Sequence, residues 1–310
     1  MTAITVEDRG PHAPFVVQPG IRVVPLATPT LPPATHTNCV VLGEERVIVV
    51  DPASPYSEEQ QRLADQLDAW GLEVVAIWLT HHHPDHVGGA EDARERWGVP
   101  VCAHPATKAR LDGQVRVTVD LFDGDSPEDV HEVDVGGRFR ALHTPGHARG
   151  HIAIRDEDSR CLVAGDLVAG QGTIVIDPPE GDMADYLATL GRLAQEGVGC
   201  IVPSHGPAIE AGEDKLLEYI AHRKMREDQL LVALGRGGGK PLDLVPSLYP
   251  EVPPMFHPLA SRQVLAHLLK LEQEGRVVRD DDSTGAPGTP VYMSSAFAGP
   301  TGPMPRFSLR

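Results

Sequence analysis

Ten residues gather the side chains with the clearest chemistry: Thr80-His81-His82-His83-Pro84-Asp85-His86-Val87-Gly88-Gly89. Imidazole and carboxylate are the nitrogen and oxygen donors that divalent zinc takes. His81 and His83 stand two apart in extended backbone, so both project to one side. Asp85 and His86, just past a proline, aim at a second point nearby. The segment follows an apolar run, Val74-Val75-Ala76-Ile77-Trp78-Leu79, that reads as a buried strand. A strand end therefore delivers the whole set to a loop, and one short loop supplies ligands for two neighbouring metal positions. Structural zinc sites usually close with thiolates, and no cysteine lies near this stretch.

The same design recurs downstream. The strand Arg140-Ala141-Leu142-His143 runs into Thr144-Pro145-Gly146-His147-Ala148-Arg149-Gly150-His151. Cys161-Leu162-Val163-Ala164 runs into Gly165-Asp166, and Cys200-Ile201-Val202 runs into Pro203-Ser204-His205-Gly206-Pro207. Together these give His81, His83 and His147 for one metal, and Asp85, His86 and His205 for a second, with Asp166 between them. Asp51 ends the apolar strand at 46–50, where it either caps a turn before Pro52 or orients a ligand histidine. His151 and His82 are candidates for a supporting or substrate-facing place, with a satisfied or surface histidine as the plain alternative. His143 reads as structural.

The elements that position these residues follow from periodicity. Strands are expected at 38–42, 46–51, 99–103, 115–122, 130–135 and 138–143. Residues 57–70 form an amphipathic helix with Leu63, Leu67 and Trp70 on its apolar side, and a helix opens at Asp85-His86 and runs on to Arg96. Strand, helix and strand in two halves imply an α/β architecture of two packed sheets with helices outside. Past a long helix at 215–234, a glycine-rich linker at 235–241 precedes helices at 242–248 and after Pro258, and a strand at 276–279. A polar loop then returns to Val291-Tyr292-Met293, which completes a winged-helix pattern. The linker is no P-loop, because a proline stands where Ser or Thr should be.

Composition narrows the partners. A chain of 310 residues with 41% hydrophobic residues has room for a large core, and its net charge of -17 argues against bulk electrostatic binding of nucleic acid or anionic membrane. The four cysteines are scattered without CxxC pairing and read as buried free thiols of a reducing compartment. With no signal-like start and no long apolar run, the expectation is a cytoplasmic protein with no membrane partner. A small-molecule substrate is favoured, nucleic acid is possible, and the oligomeric state is open.

The HxHxDHxGG segment at 81–89, the TPGH segment at 144–147, the AGD segment at 164–166 and the PSHGP segment at 203–207 resemble the metallo-β-lactamase-fold hydrolases, in the same order. The resemblance covers roughly 20–225 and implies an αββα sandwich with the metal site at one edge of the sheets. A histidine at 86 and an aspartate at 166 are similar to the dinuclear members, such as glyoxalase II. The C-terminal helices narrow the likeness to the subgroup with a winged helix, which includes a β-lactamase-like endoribonuclease and fungal polyketide thioesterases. The implied activity uses two divalent ions, expected to be zinc, holding a bridging hydroxide, with Asp85 orienting it and passing on a proton. The expected substrate is a small ester, thioester or lactone. The alternative is single-strand endoribonuclease activity, with Arg223, Lys224 and Arg226 on phosphates. The expected organisation is a catalytic domain at 1–225, a linker and winged helix at 226–293, and a mobile tail at 294–310.

Overall fold

The computed structural model describes residues 12–279 and 304–310. The chain divides into two compact units. The first takes residues up to 143 together with 152–172 and 199–210, and the second takes 144–151, 173–198 and 211 onward.

Two sheets build the first unit. One runs in the order β1 (Phe15–Gln18), β2 (Ile21–Ala27), β3 (His36–Gly43), β4 (Arg46–Val50), β5 (Glu73–Trp78), β6 (Val101–Ala103) and β7 (Val119–Asp120), antiparallel up to β4 and parallel from β4 on. The other has the order β11 (Ile201–Pro203), β10 (Leu162–Gly165), β9 (Ile152–Asp156), β8 (Phe139–His143), with β10 and β11 parallel. Alternate residues of both sheets meet in one core: Val40, Ile48 and Trp78 from the first face Phe139, Ala141, Ile154 and Val163 from the second. The opposite face of the larger sheet carries Val41, Val49 and Ile77, which pack against Leu63 and Leu67 of α1 (Ser57–Ala69) and Ala90 and Ala93 of α3 (Ala90–Trp97). Continuous apolar runs in β4 and β5 follow from this burial on both faces.

Between β5 and α3 lies one short turn of helix, α2 (Pro84–Val87), with Pro84 at its first position. The expected single helix from Asp85 to Arg96 is thus broken at Gly88-Gly89. A Cβ on Gly88 would stand 2.7 Å from the Ala53 carbonyl, and one on Gly89 would stand 2.6 Å from the carbonyls of Pro52 and Ser54. The two glycines let this loop seat directly on the loop after β4, where Gly89 N–H donates to the Pro52 carbonyl at 3.0 Å.

Three other expectations change. The strand expected at 115–122 is reduced to β7, and residues 105–108 form the short helix α4 (Pro105–Lys108). The strand expected at 130–135 does not form: helix α5 (Pro127–His131) takes its start, because Ser126 and Asp129 form a complete capping box with Pro127 at the first position, and 132–135 are irregular. Cys161 and Cys200 are joined as a disulfide with their Cα atoms 4.6 Å apart, while Cys39 and Cys102 are free and buried. They precede the neighbouring parallel strands β10 and β11, a proximity that a separation of 39 residues does not reveal. The compartment argument drawn from four free thiols loses half its basis.

The second unit holds α6 (Met183–Glu196), which periodicity reading missed, then α7 (Gly212–Leu234), α8 (Pro241–Leu248) and α9 (His257–Gln273). Leu230 and Leu234 of α7 share a core with Leu244, Val245 and Leu248 of α8 and with Val264, Leu265, Leu268 and Leu271 of α9. β12 (Val277–Arg279) pairs antiparallel with β13 (Phe307–Leu309). The expected returning strand at 291–293 lies outside the described residues. Within the tail expected to be mobile, residues 307–309 form this strand, anchored by the fully buried Phe307, whose backbone also bridges Gly239 of the glycine-rich linker. Among the described residues no helix is long and apolar enough to cross a membrane.

Candidate metal centre

Parallel strands end side by side, so the residues following them meet. After β4 comes Asp51, and after β5 comes Thr80. Asp51 N–H donates to the Trp78 carbonyl at 3.1 Å, while the Asp51 carboxylate accepts from Thr80 N–H at 2.8 Å and from Thr80 Oγ1 at 2.6 Å. Asp51 also lies 2.7 Å from His86 Nδ1, and both residues are buried. A carboxylate there favours the Nδ1–H form of His86 and turns the Nε2 lone pair outward. Asp51 is therefore placed to fix the orientation of the His86 ring, and its φ of 49° is the left-handed conformation that Asp tolerates.

The second parallel pair does the same for the other half. β10 ends in Gly165-Asp166 and β11 in Pro203-Ser204-His205, with Ser204 N–H donating to the Gly165 carbonyl at 3.2 Å. Asn38 of β3 secures this loop: its side-chain amide donates to the carbonyls of Pro203 at 2.8 Å and Gly206 at 2.9 Å. His205 Nδ1 lies 3.1 Å from the His36 carbonyl, which leaves its Nε2 directed elsewhere. The two sheets are tied at this edge by Ile152 N–H, which donates to the Thr80 carbonyl at 2.8 Å.

The donor atoms converge. Those of Asp85, His86 and His205 lie within 4.8 Å of one another, as do those of His81, His86 and Asp166. Asp166 Oδ1 stands 3.5 Å from His86 Nε2 and equally 3.5 Å from His205 Nε2, and Asp85 Oδ2 is 3.5 Å from His205 Nε2. His81 Nε2 and His83 Nδ1 are 2.9 Å apart, within hydrogen-bond distance of each other. His86 Nε2 is buried with no hydrogen-bond partner. Burial pulls the His86 pKa down, yet the carboxylates of Asp166, Asp85 and Asp51 carry it well above the ordinary histidine value. A buried imidazole nitrogen among carboxylates that demand positive charge is what a divalent cation satisfies, so the residues present fit the metal.

His147 and His151 sit in the loop at 144–151 that joins β8 to β9 and belongs to the second unit. His147 Nδ1 is 2.8 Å from the Val175 carbonyl. His151 ties the ends of its own loop: Nδ1 lies 2.8 Å from Thr144 Oγ1, and its carbonyl accepts from Thr144 N–H at 2.9 Å. His151 thus braces the loop, while the group placed to orient His147 is a main-chain carbonyl. Val175, His36, Asn38 and Thr80 were missed in the sequence. Only Asn38, an amide opening an otherwise apolar strand, left a visible signal. His143 stacks on His104 with ring centroids 4.3 Å apart.

Three basic residues of the helical module are buried. Arg262 of α9 is fully buried and bonded to Asp177, His267 is 1% exposed, and Arg223 of α7 is 2% exposed with Nη2 donating to the Ile174 carbonyl.

Comparison with known proteins agrees with this geometry. Residues 32–205 match the metallo-beta-lactamase superfamily model, and residues 241–286 match the beta-lactamase associated winged helix domain. The chain is 30% identical to a lactamase-like protein, adaB, of Aspergillus niger, over 78% of this chain and 76% of that one. It is 31% identical to an atrochrysone carboxyl ACP thioesterase of Aspergillus chevalieri, over 71% and 69%. A metallo-beta-lactamase family protein of Thermus thermophilus superimposes with a TM-score of 0.72 at 26% identity, over 95% of this chain and 100% of that one. The paired parallel strand ends, the His/Asp cluster they build and these matches lead to one conclusion: the chain belongs to the metallo-beta-lactamase superfamily of hydrolases and carries the winged helix domain associated with it.

Proposed function

We propose that the chain is a dinuclear metal-dependent hydrolase of a small thioester, ester or lactone, with thioesters first. His81, His83 and His147 hold one divalent ion, expected to be zinc; Asp85, His86 and His205 hold the second, and Asp166 serves both. The observation that carries this reading is the place of Asp166 between residues of the two sets: its donor atom lies within 4.8 Å of those of His81 and His86, and its Oδ1 is 3.5 Å from Nε2 of His86 and of His205. When bound, a pair of such ions supplies Lewis acidity and lowers the pKa of water to near 7. Thioesters are placed first because of the similarity to a carboxyl ACP thioesterase. The catalytic part is taken as 1–225 and the linker with winged helix as 226–293.

The chain's own groups do the rest. Asp51 and the His36 carbonyl keep His86 and His205 presenting Nε2. Asp85, buried in the first turn of α2, holds a proton at its carboxylate and passes it toward the leaving group. That service matters little to a thiolate, whose conjugate acid has a pKa of about 8.5, and much to an alkoxide. Of the three residues expected on phosphates, the endoribonuclease reading loses Arg223, which is buried and donates to the Ile174 carbonyl, and finds Arg226 bonded to Glu251, while Lys224 stays exposed.

The test is a paired turnover assay on zinc-loaded protein, one arm a panel of thioesters, esters and lactones, the other a labelled single-stranded RNA. Metal-stripped protein serves as the blank in both, and Asp85→Ala is run beside it. Acyl hydrolysis lost in the variant, and lost more completely for esters than thioesters, supports the reading. RNA cleavage abolished in the variant, with acyl substrates untouched, replaces it.

A further inference from the structure

The helical module has its inward polar side chains directed at one irregular segment. Residues 173–181, between β10 and α6, form no helix or strand, so no ladder fixes their carbonyls. Their placement comes from side chains instead. Arg223 of α7 donates through Nη2 to the Ile174 carbonyl at 2.7 Å. Ile176 N–H donates to Gln263 Oε1 of α9 at 2.9 Å. Arg262 of α9 bonds through Nε to Asp177 Oδ1 at 2.5 Å, and through Nη2 to the Pro178 carbonyl. The residue in the middle of these anchors is Val175, whose carbonyl lies 2.8 Å from His147 Nδ1.

We infer that α7 and α9 of the helical module position His147: Arg223, Gln263 and Arg262 hold the Val175 carbonyl where it accepts the Nδ1–H of that histidine. The inference rests on the proposed role of His147 as a metal ligand. Three observations within this unit carry it. The anchors flank Val175 on both sides, at Ile174 and at Ile176, so the carbonyl between them cannot swing without breaking one. Each anchor is buried, at 2% exposure for Arg223, 7% for Gln263 and none for Arg262, so none of these bonds is traded readily for water. Finally, a carbonyl on Nδ1 selects the tautomer that presents Nε2, as the His36 carbonyl does for His205. In the winged helix, α9 thus turns Arg262 and Gln263 onto this segment. Gln263, Arg262 and Arg223 are positioning residues, acting through Val175 and His147.

The experiment measures metal rather than turnover. Full-length protein is stripped with a chelator and titrated with Zn2+ against a chromophoric competitor, alongside thermal unfolding of each variant. Gln263→Met removes the acceptor at nearly constant length, Gln263→Glu restores an acceptor, and His147→Ala reports on the ligand itself. The expected result is that Gln263→Met weakens one zinc equivalent by about tenfold or more and spares the other. Gln263→Glu recovers most of that loss, and His147→Ala abolishes the same equivalent. If His147→Ala loses an equivalent while Gln263→Met binds both as the parent does, the positioning inference is wrong and the ligand reading stands. If His147→Ala retains both, the ligand reading itself is wrong. Equal weakening of both equivalents with a lowered melting temperature overturns the inference in favour of general packing. Should Gln263→Met fail to fold, Arg223→Lys, which withdraws the donor from the Ile174 carbonyl, faces the same criterion.

Discussion

Asp51→Asn separates the orienting role of this carboxylate from its place in the fold. Asparagine accepts a left-handed backbone as aspartate does, so φ of 49° adds no strain. Its carbonyl oxygen continues to accept from Thr80 N–H, but an amide NH2 replaces the oxygen that faces Thr80 Oγ1 at 2.6 Å and His86 Nδ1 at 2.7 Å. That NH2 donates, so His86 Nδ1 must accept and the proton moves to Nε2. Nε2 then points an N–H at Asp166 Oδ1, 3.5 Å away, where a lone pair was required. Binding a cation means reversing that tautomer against a misdirected donor, at a cost of about 1.5–3 kcal/mol for a hydrogen bond to a charged partner. At about 1.4 kcal/mol per decade this is roughly a 10–100-fold loss of affinity. A competition titration of stripped protein with Zn2+ should show the loss in one equivalent only, with thermal unfolding of the metal-free protein little changed. Two equivalents bound as tightly as in the parent would refute the claim that Asp51 sets the His86 tautomer.

Asp166→Ala removes the carboxylate that approaches His81 as well as His86 and His205, and metal analysis of the purified variant should fall from about two divalent ions to about one. Retention of the full complement would exclude a shared carboxylate. Gly146→Ala places a Cβ 2.3 Å from Tyr186 Cα at a φ of 137°, a contact with backbone that no rotamer relieves. The expected loss is about 1–3 kcal/mol or more in chemical unfolding, together with weaker zinc binding; an unchanged melting curve would contradict the packing described. His267 should make the metal-free chain acid-sensitive. Burial holds its pKa below the ordinary 6.5, against the pull of Glu227 and with Arg223 and Lys270 opposing protonation. A depressed folded pKa means that stability is full above 6.5 and is lost as the pH falls through that value toward the folded one. Urea unfolding at about pH 7.5 and about pH 5.5 should therefore show a larger drop for the parent than for His267→Gln; equal drops would remove His267 from the account.

The candidate ligands were legible because their residue types are costly to bury without a purpose and recur after apolar strands. What aligns them was less so. Asp51 was recognisable as a strand-end carboxylate, but only the parallel pairing of β4 with β5 sets it against Thr80 and His86. The orienting carbonyls of Val175 and His36 leave no trace in side-chain identity. Helix α5 was misread because apolar Val130, Val133 and Val135 suggest alternation, while the capping box at Ser126–Asp129 decides the local structure. α6 went unread although Asp182 caps its first turn through Ala184 and Asp185 N–H. Arg223 was expected on phosphates because charge is visible in a sequence and burial is not. The disulfide between Cys161 and Cys200 depended on strand neighbours far apart in the chain.

The seat of Gly88-Gly89 on residues 52–55 bears on how such a centre is transplanted or diversified. The carbonyls of Pro52, Ala53 and Ser54 leave no room for a methyl group on either glycine, so the ligand loop and the loop carrying Asp51 are moulded to each other. A chimaera that imports residues 80–89 alone would set foreign glycines on an unmatched surface and tilt His86 away from its carboxylate. The exchangeable cassette is the pair of loops, and random libraries at this edge are best built with 51–55 and 88–89 held fixed while the flanking surface varies.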